Sequence, residues 1–323
     1  MTHAIRIHQI GGPEVMRWEP IDVGPPGPGQ ARIRHHAVGV NFVDIYQRSG
    51  LYPLELPTVL GQEGAGEVVA VGPGVTEVQP GDRVAYAGPT GAYAQERLIQ
   101  ADRLVKLPDD ISYETAAAMM LKGMTASYLL RHTHRVQPGE TIVFHAAAGG
   151  VGLIAVQWAK ALGAVVIGTV GSREKAELAR RAGADHVVIT REEKLSERVK
   201  DITSGRGVPV VYDSVGAATF DESLASLEAR GLLVSFGQAS GKVPPFDITV
   251  LGGARSLYLT RPSLHAYTRT RAELEDNARA LFDVVRSGKV KIEIHQRYRL
   301  EDAAQAHRDL AARKTTGSTV LTV

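Results

Sequence analysis

The run TIVFHAAAGGVG at residues 141–152 constrains this chain more than any other stretch, because β-branched residues and Phe144 give way to alanines and then to three glycines. That pattern predicts a strand ending in a tight turn. LIAVQWAKALGA follows, with Leu153, Val156, Trp158 and Ala161 spaced as a helix spaces its apolar face, so strand, turn and helix form the first half of a βαβ unit. In such a unit one position makes the turn, a second lets the backbone approach a pyrophosphate, and a third lets helix pack on strand. Here those positions are Ala147, Gly149 and Gly152. Ala147 departs from the all-glycine pattern and is tolerable if its φ is negative; Gly149 and Gly150 keep the path clear for phosphate oxygens at the helix N-terminus.

A chain of 323 residues is long enough for two domains. Hydrophobic residues make up 44% and charged residues 22%, the balance of a globular protein, and no apolar run approaches the length of a membrane span. MTHAIRIHQI has no charged-then-apolar leader, so the cytoplasm is the expected location. The absence of cysteine excludes disulfides, thiolate nucleophiles and every cysteine-containing metal site. A net charge of +2 concentrates no basic face for a nucleic acid.

In chain order, AIRIHQI and ARIRHHAVGV alternate like strands, with His35 and His36 pointing to opposite faces, and GGPEVMRWEP and VGPPGPGQ punctuate them. GAGEVVAVGPGVTEVQPGDRVAYAG continues in this manner, so residues 1 to about 120 predict a partly open β-barrel or sandwich. SYETAAAMMLKGMTASYLLRHTHRV then changes to helical spacing, with Ser112 and Thr115 as candidate caps. Beyond the glycine turn AVVIGTV, HVVIT, VPVVYDSVG, LLVSFGQ and SLYLT alternate with helices at SREKAELARRAG, EEKLSERVKDIT and TFDESLASLEARG, which predicts a doubly wound parallel sheet. The tail, with helices at RAELEDNARALFDVVRSG and EDAAQAHRDLAARK and strands at HQRYRL and GSTVLTV, has too few elements for a third domain. It is expected to complete the first. The expected division is 1–124 with 262–323 against 125–261, with a cleft between.

GVNFVDIYQRSGLYP, GQEGAGEVVAVGPGV, GDRVAY, LKGMTASYLL, FHAAAGGVGLIAVQWAKALGA, VVYDSVG and LYLTRPSL together resemble the medium-chain dehydrogenase/reductase superfamily. Within it, they resemble the zinc-independent NADPH:quinone oxidoreductases related to zeta-crystallin. The resemblance covers essentially the whole chain and implies an α/β fold: a Rossmann sheet plus a GroES-like, partly open β-barrel domain. It also implies a homodimer, for which LLVSFG and SLYLT offer a sheet edge. Alcohol dehydrogenases of the superfamily carry a catalytic cysteine and histidine where Asn41 and Gln62 stand here, so no catalytic zinc is expected. His132, His134, His35 and His36 offer no replacement set.

Near the end of the second strand of the nucleotide unit, where NAD enzymes place a carboxylate, the chain has Thr169, Val170, Gly171 and Ser172, with Arg173 and Lys175 close by. That site suits a 2′-phosphate and so favours NADPH over NADH. The resemblance implies cofactor contacts at Asn41, Thr125, Gly149, Gly150, Val151, Ser172, Lys175, Arg191, Phe236, Gly237, Ser240 and Arg313. Two departures stand out: Thr190 replaces the usual aromatic before Arg191, and Ser318 stands where many members have lysine. Asn41, Tyr46 and Tyr52 are the implied catalytic residues, lining the acceptor pocket. The expected activity is hydride transfer from NADPH to a small quinone, with orientation as the main contribution. Two readings remain beside it: an enone/alkenal reductase, and a crystallin-like or RNA-binding protein that retains NADPH binding.

Overall fold

Alternation along Gln30–Val40 becomes a strand of 11 residues in the computed structural model, which describes residues 2–323. Ala31, Ile33, His35 and Ala37 turn inward, while Arg34 and His36 are exposed. The N-terminal elements are β1 (Thr2–Ile7), β2 (Arg17–Ile21), β3 (Gln30–Val40), α1 (Phe42–Arg48), β4 (Thr58–Val59), β5 (Glu63–Val71), β6 (Arg83–Ala87), β7 (Glu96–Gln100) and β8 (Val105–Lys106). The helix α2 (Tyr113–Tyr128) follows, opened by the Ser112 hydroxyl, which accepts from the Thr115 N–H at 3.1 Å.

Next come β9 (Thr141–Phe144), α3 (Gly150–Ala161), β10 (Val165–Val170), α4 (Arg173–Arg181), β11 (His186–Ile189), α5 (Leu195–Thr203), β12 (Val208–Asp213), α6 (Phe220–Ser226), β13 (Leu227–Ser235) and β14 (Tyr258–Thr260). The chain closes with α7 (Arg271–Arg286), β15 (Ile294–Arg299), α8 (Ala303–Ala311) and β16 (Ser318–Thr322).

Two units result. One holds the chain up to Met124, Thr268–Phe282 and Ile292–Val323; the other holds Thr125–Tyr267 and Asp283–Lys291. In the first, strands β15-β16-β3-β5-β6-β8 form one sheet, with β7 also paired to β3, and β2-β1-β4 form a small second sheet. Ile5, Ile33, Val68, Val84, Leu104 and Leu321 are among its fully or almost fully buried core. The tail strand β16 pairs antiparallel with β3, Val320 opposite Gly39, so the C-terminus is part of this sheet.

In the second unit every strand pair is parallel, in the order β11-β10-β9-β12-β13-β14. Sequential strands run outward from β9 to one side and from β12 to the other, so the switch point lies between those two, beside the turn that follows β9. One expectation needs correction. The helix expected around TFDESLASLEARG stops at Ser226, and Leu227 opens β13 instead. Leu227 is nearly buried and pairs with Val208 on β12, so the apolar demand of the sheet outweighs the helical propensity of LEAR.

Candidate functional site

The turn after β9 is built from backbone rather than side chains. Ala146 adopts φ 53°, the left-handed region, and the Ala147 N–H donates to Thr169 O at 3.0 Å, tying the turn to β10. Gly149 is the N-cap of α3 with extended backbone. A Cβ on Gly152 would run into Ala146 O and come within 2.8 Å of Ala147 Cα, so only glycine allows α3 to sit this close to the turn. At Gly149 the nearest obstacle to a Cβ is Ala146 O at 3.2 Å, and no side chain caps the helix N-terminus. The first N–H groups of α3 have no partner within the helix and carry its positive dipole end, so the turn fits a pyrophosphate.

Behind it stands a buried polar chain that the sequence reading did not single out. Thr169 Oγ1 and His145 Nδ1 are 2.8 Å apart, and His145 Nε2 lies 3.0 Å from Ser223 Oγ. Ser223 and Thr219 in turn donate to Asp213 Oδ2 at 2.8 and 2.7 Å, and Asp213 Oδ1 accepts from the Val215 and Gly216 N–H groups. Burial lowers the pKa of His145, so its neutral ring links the ends of β9, β10 and β12.

At the end of β10, Val170 is buried and Ser172 caps α4, its hydroxyl accepting from the Lys175 N–H. Lys175 is half-buried and Arg191 exposed. A carboxylate does lie nearby: Glu192 pairs with Arg173 through Nε–Oε1 at 3.0 Å, both side chains being open to solvent. Arg191, Thr190 and Glu192 line an open cavity with Lys194, Glu197 and Arg198. At the end of β13, Gly237 is pressed against Ser214, where a Cβ would fall 2.6 Å from the carbonyl oxygen. Ser240 Oγ donates to Val215 O and accepts from the Ala218 N–H, so its hydroxyl ties two loops, and the Phe236 ring packs on Phe144 with centroids 5.7 Å apart. Thr125 is buried on α2. Arg313 follows α8 with φ 58°.

In the other unit Asn41 is the nearly buried N-cap of α1 and shares a capping box with Asp44, whose Oδ2 accepts from the Asn41 N–H at 2.8 Å. Its side-chain Nδ2 donates to Glu63 Oε2 at 2.9 Å. Lys122 Nζ donates to the same oxygen at 2.8 Å, and Glu63 Oε1 accepts from the Leu121 N–H at 2.8 Å. Glu63 has no exposed surface at all.

Asp44 begins a second buried network. Its Oδ2 also accepts from Tyr93 Oη at 2.9 Å, Tyr93 lies 3.0 Å from His307 Nε2, and Arg48 Nη1 donates to His307 Nδ1 at 3.0 Å. The donors run in one direction, from Arg48 through His307 and Tyr93 to Asp44. Burial pushes the Asp44 carboxyl up to about 7 and, with Arg48 beside it, pulls His307 down to about 3. Tyr46 on α1 is nearly buried, and Tyr52 meets it edge-on at 5.3 Å. Gln62 and Gln47 both point their amides at Thr90 Oγ1, at 3.4 and 3.0 Å. Among the described residues no group of His, Asp and Glu side chains is arranged to hold a metal ion.

Of these groups, the sequence reading had singled out Asn41, Tyr46 and Tyr52 but not Glu63, Lys122, Asp44, Tyr93 or His307. Glu63 and Lys122 stand 59 positions apart, so only the tertiary fold reveals the pair. Among the described residues these groups offer fixed donors, packed tyrosine rings and a helix terminus suited to an anion, with no activated nucleophile.

Comparison with known proteins matches the same two regions. Residues 27–109 fit the alcohol dehydrogenase GroES-like domain, and residues 150–280 the family described as zinc-binding dehydrogenase. The quinone oxidoreductase of Pseudomonas aeruginosa is 53% identical, with 99% of both chains covered. The solved structure of Escherichia coli quinone oxidoreductase complexed with NADPH superposes with a TM-score of 0.97 at 49% identity, over 99% of this chain and 100% of that one. A 2-haloacrylate reductase from a Burkholderia species is 46% identical, again over 99% of both.

Proposed function

The chain belongs to the quinone oxidoreductase family of the medium-chain dehydrogenase/reductase superfamily, and from that premise we propose that it reduces small quinones with NADPH. The observation that carries this reading is the N-terminus of α3, which no side chain caps and which starts at Gly149 with Gly152 packed against the turn. Gly149, Gly150 and Val151 hold the pyrophosphate there. Ser172, Lys175 and Arg191 take the 2′-phosphate, next to Val170 instead of a carboxylate that would repel it. Thr125, Asn41, Phe236, Gly237, Ser240 and Arg313 complete the cofactor contacts in this reading.

When bound, the cofactor supplies the hydride. Tyr46 and Tyr52 wall the acceptor, and Asn41 donates to the oxygen that gains negative charge. A quinone spreads that charge over its ring and needs only modest help, whereas a simple ketone needs a proton or a Lewis acid. Asn41 and Gln62 are amides, and the Asn41 nitrogen is already committed to Glu63, so the reading includes no catalytic zinc. The enzyme works as a homodimer in the cytoplasm.

A second reading is favoured by the 2-haloacrylate reductase relative: an activated alkene as acceptor, with the same cofactor. Steady-state NADPH oxidation in the presence of chelator separates the two. The expected order is small benzo- and naphthoquinones first, enones second and unactivated ketones negligible, with Tyr52→Ala lowering kcat/KM for quinone and leaving NADPH affinity unchanged. Turnover confined to enones transfers the assignment to the second reading, and loss of activity in chelator removes the zinc-free mechanism.

A further inference from the structure

Asn41 touches a carboxylate that is completely buried, and that carboxylate touches a lysine whose side chain is 6% exposed. Both donors meet on one oxygen, Glu63 Oε2, and so lie within two hydrogen-bond lengths of each other. The site is built for the carboxylate: a Cβ on Gly39 would run into Glu63 Oε2 and would come within 2.8 Å of its Cδ. Among the described residues Glu63 is the one partner of the Lys122 ammonium. A buried ion pair of this kind adds little stability over apolar residues of the same shape. What it does impose is direction.

An asparagine amide has a donor end and an acceptor end of nearly equal size, and its neighbours decide which way it points. An ionised Glu63 can only accept, so the Asn41 nitrogen must face it, while the Asn41 oxygen turns to the Asp44 N–H in the capping box. One N–H remains. A neutral Glu63 could donate instead, allowing the amide to turn over and present its oxygen.

We propose that Glu63 and Lys122 are positioning residues that hold the Asn41 amide as a donor toward the oxygen that becomes negative on the acceptor. The proposal rests on the reading of the chain as an NADPH-dependent quinone reductase.

The sequence makes the orientation observable, because Asn41 and Asn277 are the only two asparagines. Protein labelled with 15N-asparagine shows two side-chain amide pairs, and Asn41→Ser identifies one of them by its loss. In the parent the Asn41 pair is expected to show only the step that follows Asp44, whose carboxyl burial pushes up to about 7. In Lys122→Met it should move as Glu63 takes up a proton, kcat for quinone should fall on the order of a hundredfold, the size of losing one oxyanion donor, and the KM for NADPH should hold. The variant should also gain an acid limb in kcat beyond any that Asp44 gives the parent, and Lys122→Arg should restore both readouts.

Asp44, Tyr86 and Tyr93 are the other titratable groups that feel Glu63, and they remain in every variant. A limb that appears with Lys122→Met and vanishes in Glu63→Gln/Lys122→Met therefore belongs to Glu63. Should Lys122→Met fail to fold, that double variant carries the test, since it leaves no orphaned charge: its Asn41 signals should be displaced and its kcat low at every pH. Parental Asn41 signals and parental kcat in either variant overturn the proposal. A parent that does not oxidise NADPH with quinones sinks the functional reading alone, because the amide signals still report the orientation.

Discussion

Lys175 is the residue whose role is easiest to separate from structure. Its backbone N–H serves the α4 cap, a task any residue but proline performs, whereas its ammonium is the charge proposed for the 2′-phosphate. Lys175→Ala should therefore leave folding intact and weaken NADPH about tenfold, roughly 1.4 kcal/mol, with NADH affinity unchanged in parallel titrations. Equal weakening of both cofactors would remove Lys175 from the phosphate site. Arg173, close by, is engaged by Glu192. Residue type alone does not assign a charge its role, because that guanidinium is already held.

At the scale of elements, two helix N-termini do different work. α1 begins at a capping box whose acidic partner is buried and linked to Tyr93, His307 and Arg48, so its N-terminus is held in place and its cap, Asn41, is presented from a rigid frame. α3 begins at glycine with no side-chain cap, which leaves its dipole end to a ligand. Gly152→Ala tests the second arrangement. The added methyl must displace the turn at Ala146, at a cost of about 1–3 kcal/mol for overpacking, seen as a lowered thermal midpoint. Because the displaced turn is the proposed pyrophosphate cradle, NADPH affinity should fall in the same variant. A variant with parental melting and parental affinity would show that the close approach of helix and turn is dispensable.

For the whole molecule, the parallel sheet has two edges, β11 and β14. β14 is short and carries Tyr258, 60% exposed, while Ile248 and Val250 ahead of it are 74% and 49% exposed. An uncovered strand edge with apolar neighbours invites pairing with a second copy. Light scattering is expected to give a dimer mass at micromolar concentration, and Tyr258→Lys should shift it toward monomer; a monomeric parent would end the proposal. The fold class, the family and the glycine turn between β9 and α3 were legible in the sequence, because periodicity and glycine placement are local properties: TIVFHAAAGGVG can fold in few ways, and the Val-rich runs that follow it demand burial on both faces. What sequence could not contain was pairing across distance. LEAR left the helix for the sheet because Val208 was waiting beside it, and Glu63 met Lys122 and Asn41 only once β5, α2 and the N-terminus of α1 had converged. A buried carboxylate has no sequence signature of its own; its meaning comes from the donors that three-dimensional packing brings to it.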